Sequence, residues 1–203
     1  MVKYNKHKPF LSVAFSTIKT MEDEKIISGN TVQDVWPQME ADIDANEYEY
    51  KTLVKIGSKE IWINIDIDPG GGFESGSELV QFKAPLSAAN NFRFAIHDQD
   101  FFDRIGKFFG MEDVKIGYED LDHHLIIKTN EVERVRNIFV DAKVREIFSK
   151  LESFDCGIHT HHPDGSKGEQ PFLEMNINRA IEDTDEFRNI FEAFYNLLLE
   201  IDA

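Results

Sequence analysis

Residues 60–68 alternate between apolar and polar side chains, and this pattern constrains the fold more than any other feature of the sequence. Isoleucine occupies positions 61, 63, 65 and 67, and the residues between them are Trp62, Asn64 and Asp66. Successive side chains of a β-strand point to opposite faces. The segment is therefore predicted to be a strand with one face in a core and the other face polar, as is common in antiparallel sheets.

Similar patterns predict further strands on both sides of this one. The expected strands cover residues 48–56, 79–84, 92–97, 114–116, 125–128, 154–162 and 171–178. The last two are separated by 163–168, a loop rich in turn-forming residues, and are predicted to form a hairpin. In 92–97, Phe92, Phe94 and Ile96 are expected to face the core.

Apolar residues at helical spacing predict five helices. Gly29 is expected to end the first helix, Pro37 to kink or shorten the second, and Gly110 to end the third. Asn130 and Asp183 are expected to cap the last two helices. The helix that begins after Asn130 is expected to have a break near Asp141. The predicted ranges are 10–27, 32–44, 98–110, about 131–151 and 183–201.

This order of elements predicts an α+β fold. Runs of adjacent strands favour antiparallel pairing. We expect a curved, mostly antiparallel sheet of about six to eight strands, with helices packed on one face. The 203 residues are predicted to form a single domain, 1–203, with 1–45 as a helical N-terminal segment packed on it.

The charge of the chain argues against two classes of partner. The net charge is −16, and the sequence contains no cluster of Lys and Arg beyond the few basic residues at its start. Proteins that bind nucleic acid or anionic lipid need such clusters to neutralise phosphates. We therefore expect neither nucleic acid nor a membrane among the partners.

Cysteine content and the first residues predict a cytoplasmic location. Cys156 is the only cysteine, so an internal disulfide is excluded, and its position predicts a side chain that packs inward. The short apolar stretch near the start is interrupted by Ser12, Ser16 and Thr17. It is too short and too polar to predict a signal peptide or a membrane span.

The predicted hairpin carries the best candidate for a metal site. His159 and His161 share one face of their strand, and Glu174 and Asn176 are expected to point outward from the partner strand. Two imidazoles and the Glu174 carboxylate are a workable ligand set for zinc or iron. The alternative is an exposed polar face beside a turn, and the sequence contains no HExxH or CxxC motif.

Asp66 and Asp68 form a second candidate set. They share the polar face of one strand and are followed by Pro69 and three glycines. Paired carboxylates at a strand end suit Mg²⁺ or Ca²⁺, although the same face carries other polar residues typical of a solvated surface. The glycine-rich stretch matches neither a Walker loop nor a dinucleotide fingerprint, and no GxSxG motif is present.

Residues 92–139 carry a pattern that resembles a widespread group of uncharacterised bacterial proteins. The pattern is K-F-F-G-x-x-D-V-x-x-G followed by L-D-x-x-L-x-I-K-x-N. Its positions are Lys107, Phe108, Phe109, Gly110, Asp113, Val114, Gly117, Leu121, Asp122, Leu125, Ile127, Lys128 and Asn130. The resemblance implies a bacterial source but no activity, since that group has no assigned function.

Two functional hypotheses follow from these observations. The first is a non-enzymatic module that binds a small apolar ligand in a pocket lined by some of the 17 phenylalanines, or that binds a protein partner or a second copy of itself. The second is a metal-binding protein or metal-dependent hydrolase that uses His159 and His161 with Glu174 or with the Asp66/Asp68 pair. The sequence names neither a cofactor nor a reaction.

Overall fold

The computed structural model describes residues 25–46, 48–71, 76–87, 91–99, 111–161 and 170–203. Nine strands and five helices lie in these ranges. The strands are β1 (Lys25–Gly29), β2 (Glu49–Ile56), β3 (Lys59–Asp68), β4 (Ser77–Pro85), β5 (Phe94–Asp98), β6 (Asp113–Val114), β7 (Leu125–Thr129), β8 (Phe154–His161) and β9 (Gln170–Ile177). The helices are α1 (Val32–Ala45), α2 (Glu119–Asp122), α3 (Val132–Ile138), α4 (Ala142–Lys150) and α5 (Thr184–Ile201).

All nine strands join one open, curled sheet in the order β1-β2-β3-β4-β9-β8-β5-β7-β6. The β1–β2 pair is parallel, and every other pair is antiparallel. The α+β prediction with a mostly antiparallel sheet is thus confirmed, with nine strands instead of six to eight. The C-terminal hairpin β8–β9 lies in the middle of the sheet and joins β4 to β5.

The β2–β3 hairpin shows how alternation in the sequence becomes two different sheet faces. Gly57 adopts a φ of 59° in the turn, a conformation that glycine accepts without strain. From that turn, Ile61, Ile63 and Ile65 enter the core and are at most 5% exposed. Trp62 and Asn64 lie between them on the other face. The predicted face assignment of this strand is confirmed.

The helices pack on the core face of the sheet, and phenylalanines form much of the contact. Phe82 of β4 is fully buried, and its ring centroid lies 5.5–6.1 Å from those of Phe187, Phe191 and Phe194 of α5. Two strands further along the sheet, Phe148 of α4 packs edge-on against Phe154 of β8. Burial of these large rings contributes to the stability of the fold.

Side-chain caps define the starts of three helices. Thr31 and Asp34 form a capping box at α1, in which each side chain accepts from the other residue's backbone N–H. Asp141 caps α4 and separates it from α3, so the predicted break near Asp141 is confirmed. Asp183 accepts from the N–H groups of residues 185 and 186 and caps α5, also as predicted.

Two local predictions are wrong. Residues 25–27 were expected to end a helix, but they belong to β1, which gains its hydrogen bonds from β2. Asn130 was expected to cap α3; instead, its amide bonds the backbone of Asn91 and Arg93. These two errors share a cause, because partners distant in the chain satisfy these groups. Pro37 was expected to kink or shorten α1, and the helix continues through Pro37 to Ala45 without being shortened.

Several predictions lie outside the described residues. They are the helix over residues 10–24, most of the helix over 98–110, the loop over 163–168 and the positions Lys107 to Gly110 of the bacterial pattern. Among the helices of the described ranges, none combines the length and the apolar character that crossing a bilayer requires.

Candidate functional site

The hairpin β8–β9 presents a polar surface on the sheet side opposite the helices. We define this surface, the hairpin face, by Asp155, His159, His161, Phe172, Glu174 and Asn176. Opposite residues of the hairpin point the other way: Cys156, Leu173 and Met175 are at most 1% exposed in the core. The period-2 geometry of both strands produces this division, as the sequence predicted.

Glu174 is the electrostatic centre of the hairpin face. Its Oε1 lies 2.8 Å from Nζ of Lys83 on β4 and 2.5 Å from Nε2 of His161. Burial of the Glu174 carboxyl opposes its ionisation, but the hydrogen bond from Lys83 and the nearby positive charges outweigh burial. The pKa of Glu174 therefore lies below its usual value. Near neutral pH this group is an ionised, ion-paired carboxylate.

The rest of the hairpin face is a network of polar side chains that sit in register. Gln81 donates to Asn176 at 2.7 Å, and Asn176 donates to Asp155 at 3.0 Å. Asp155 in turn lies 4.0 Å from Nε2 of His159. Glu174, Asn176 and His159 are only 6–9% exposed. The side chains predicted to point outward do leave the core face, but these three are buried, whereas His161 is partly exposed.

The predicted metal ligands are only partly brought together. His161 and Glu174 are in direct contact, whereas His159 lies opposite Phe172 and close to Asp155. Within the described ranges, no group of three or more His, Cys, Asp or Glu side chains is arranged to hold a metal ion. Metal binding by His159, His161 and Glu174 therefore stays a prediction.

Asp66 and Asp68 lie apart from the hairpin histidines. Both side chains are exposed, and Asp68 accepts from the N–H of Gly70 at 2.9 Å. The register places Trp62, not Asp66, in the same row as Lys83 and Glu174. At about 3.3 Å per residue, Asp66 is displaced along the strand from that row by roughly 13 Å. The Asp66/Asp68 pair and the histidines do not form one site.

Cys156 is not set up as a nucleophile. Its side chain is 1% exposed on the core face, as the sequence predicted. Burial, with a smaller contribution from the charge of Asp155, raises the pKa of the Cys156 thiol well above its usual value. A thiol that stays protonated is a poor nucleophile and a poor metal ligand.

A second candidate site opens on the helix side of the sheet, at the end where α1 and β3 finish. It is a cavity of about 640 Å³ between the C-terminus of α1, the ends of β3 and β4, and residues 180–187. We call it the isoleucine groove because its apolar lining is dominated by branched aliphatic side chains. These are Ile43, Ile65, Ile67, Val80 and Ile181, with Phe187 beside them.

The groove has a firm floor and an acidic rim. Ile65 and Val80 are register partners in the sheet and are at most 5% exposed, so they belong to the core as well as to the groove. The rim carries the exposed carboxylates of Asp44, Glu78 and Glu182. A floor shared with the core makes the shape largely independent of a ligand.

Neither the groove nor the contact of Lys83 with Glu174 was predicted from the sequence. Phenylalanine was expected to line a pocket, but Phe187 is the one phenylalanine among the described lining residues, and most of the other described phenylalanines fill the core. Lys83 meets Glu174 through β4–β9 pairing, which joins distant parts of the chain. Neither relation leaves a local pattern in the sequence.

Comparison with known proteins gave no match among protein-family models, curated proteins or solved structures. The resemblance to uncharacterised bacterial proteins therefore stays a prediction. Function has to be inferred from the chemistry of the two candidate sites.

Proposed function

We propose that this protein is a non-enzymatic binding module of the bacterial cytoplasm that holds a small, largely apolar ligand in the isoleucine groove. The observation that carries this proposal is the cavity of about 640 Å³ with a core-anchored aliphatic floor. Ligand sites are typically concave, with volumes of about 300–1,000 Å³, and combine apolar side chains with polar groups that orient the ligand. Burial of an apolar ligand against this floor supplies the binding free energy.

The ionisation and mutual pairing of the side chains on the hairpin face support a binding function over a catalytic one. Glu174 is ionised and paired with Lys83 and His161, so it has no proton to give as a general acid. Cys156 is buried and protonated. The polar groups there contact one another across the strands, which is the arrangement of a structural network.

A protein partner or a homodimer receives less support than a small ligand. The large apolar side chains that are exposed in the described residues are Ile26, Tyr48, Val140 and Leu199. They lie on different elements, whereas a protein interface is expected to present a contiguous patch. Sedimentation of the protein at high concentration tests self-association directly.

Titration with N-phenyl-1-naphthylamine, a neutral apolar dye that fluoresces when bound, tests the groove. We expect saturable binding to one site in the wild-type protein. Ile67→Trp, which fills the groove from β3, should abolish that binding. Leu79→Trp is the matched control, because Leu79 lies on the opposite face of the neighbouring strand, and it should bind normally. Absence of dye binding by the wild type, or equal binding by Ile67→Trp, overturns the proposal.

A metal-binding function for the hairpin face is the second candidate, and the contact between His161 and Glu174 favours it. Stoichiometric zinc or iron in protein purified without chelators, lost in the double variant His159→Ala/His161→Ala, would support it. The control is His123→Ala/His124→Ala, since both of those histidines are exposed. Absence of metal together with a melting temperature unchanged by EDTA would exclude it.

A further inference from the structure

The rim of the isoleucine groove carries negative charge that the protein does not neutralise. Some carboxylates of this structure are paired with a lysine, such as Asp42 with Lys25 and Glu60 with Lys55. Among the described residues, Asp44, Glu78 and Glu182 take part in no ion pair. Three unpaired carboxylates around one cavity create a local negative potential above its apolar floor.

Asn46 and Glu78 also present hydrogen-bond acceptors at the rim. The amide nitrogen of Asn46 donates to the backbone oxygen of Asp42 at 2.7 Å, which leaves the side-chain oxygen of Asn46 to accept. Glu78 uses Oε2 to accept from the N–H of Ala180 at 2.8 Å, and its other oxygen stays available. No lysine, arginine or histidine is among the described residues that line the groove. An ammonium group, which only donates, complements this rim.

The groove also has an aromatic ring, that of Tyr48, which can attract a cation. Tyr48 lines the groove and is 52% exposed, a high value for such a large side chain. Its backbone oxygen accepts from the N–H of Ile67 at 2.8 Å, which fixes the main chain of Tyr48 beside the groove. Aromatic faces attract organic cations by roughly 0.5–1 kcal/mol at exposed sites.

The geometry points to an organic cation as the ligand of the isoleucine groove: an amine joined to an aliphatic or aromatic body. The apolar body lies on Ile65, Ile67 and Val80, and the ammonium lies at the rim of Asp44, Glu78 and Glu182. This inference rests on the proposed function, because it assigns a ligand class to the same groove. The net charge of −16 acts in the same direction, since it favours approach of cations over anions.

Three probes with the same apolar chain separate the effect of charge from the effect of apolar burial. We would measure how octylammonium, 1-octanol and octanoate displace N-phenyl-1-naphthylamine at low salt. We expect octylammonium to bind about tenfold more tightly than octanol, which corresponds to roughly 1.4 kcal/mol, and octanoate to bind more weakly than octanol. The preference for the cation should shrink at high salt.

Charge-neutral variants identify the source of the preference. In Asp44→Asn/Glu78→Gln/Glu182→Gln, octylammonium should lose its advantage over octanol, so that the ratio of the two affinities falls to about one. The control, Glu112→Gln/Glu152→Gln/Glu200→Gln, removes the same charge from exposed sites elsewhere and should keep the advantage. Glutamine at position 78 still accepts from Ala180, so the local fold is retained.

The failures of the two proposals are distinguishable. Equal binding of the three probes by a wild-type protein that binds the dye overturns the cation inference and leaves the groove as a ligand site. A cation preference that the rim variant retains also overturns it. If the wild type does not bind the dye, the proposed function itself is wrong. The salt dependence is measured on the wild type and does not depend on any variant folding.

Discussion

Lys83 and Glu174 are register partners on β4 and β9, and Nζ of Lys83 lies 2.8 Å from Oε1 of Glu174. The side chain of Glu174 is 8% exposed and that of Lys83 is 28% exposed. The pair therefore links the N-terminal half of the sheet to the C-terminal hairpin in a setting poorly screened by water.

Lys83→Met should destabilise the protein by about 1–3 kcal/mol at neutral pH, because it leaves the buried Glu174 carboxylate without its ammonium partner. Urea unfolding followed by circular dichroism measures this loss. The matched control is Lys55→Met, which breaks the more exposed Lys55–Glu60 pair and should cost about 0–1 kcal/mol. Equal losses in the two variants would show that burial of Glu174 does not strengthen its pair.

The stabilising effect of the Glu174 charge should depend on pH. The pKa of Glu174 is lowered in the folded protein, so its contribution is fully present above the unfolded-state pKa of about 4.5. That contribution is lost as the pH falls through the lower folded-state pKa. The difference in unfolding free energy between the wild type and Glu174→Gln should thus narrow as the solution becomes more acidic than about pH 4.5. A difference in unfolding free energy that does not change with pH would contradict a lowered pKa of Glu174 in the folded protein.

Phe82→Ala should be among the most damaging core substitutions, with a loss of about 3–5 kcal/mol in the free energy of unfolding. Phe82 is fully buried and contacts three phenylalanines of α5, so its removal leaves a cavity between the sheet and the helix. Phe172→Ala is the control on the opposite face, where the ring is only partly buried, and it should cost less than half as much. Comparable losses would mean that the hairpin face packs as tightly as the core.

Gly76→Ala should destabilise the protein by about 1–3 kcal/mol. A Cβ at position 76 would lie 2.3 Å from the backbone oxygen of Asp68 and 2.9 Å from the carbonyl carbon of Pro69, and neither backbone atom can move cheaply. Gly71→Ala is the control, because a Cβ there meets nothing within 4 Å. It should be neutral or slightly stabilising. Thermal unfolding of both variants checks this, and a tolerated Gly76→Ala would argue against the close approach.

Local patterns in the sequence were enough to predict those parts of the fold that depend on neighbouring residues. The alternation around Ile63 gave the strand and its buried face, and Asp183 marked the start of α5. Each signal lies within a few residues of the structure that it determines, as does the break at Asp141. Periodicity and capping are short-range effects, so one sequence suffices to read them.

Relations between distant segments could not be predicted in this way. Residues 25–29 become a strand because β2 pairs with them, and their own composition does not require it. The contact of Glu174 with Lys83 and the shape of the isoleucine groove depend on the register between segments far apart in the chain. The side chain of Asn130 illustrates the same limit, since it bonds a loop near residue 91 instead of its own helix.

The central position of the β8–β9 hairpin has a consequence for the order of events during synthesis on the ribosome. Gln81 and Asn176, which are bonded across β4 and β9, are 95 residues apart in the chain. The edge of β4 that later pairs with β9 is therefore left without its final partner while the intervening residues are translated. Unpaired strand edges are prone to join other chains. A nascent chain that stalls before the hairpin emerges would be a natural substrate for chaperones.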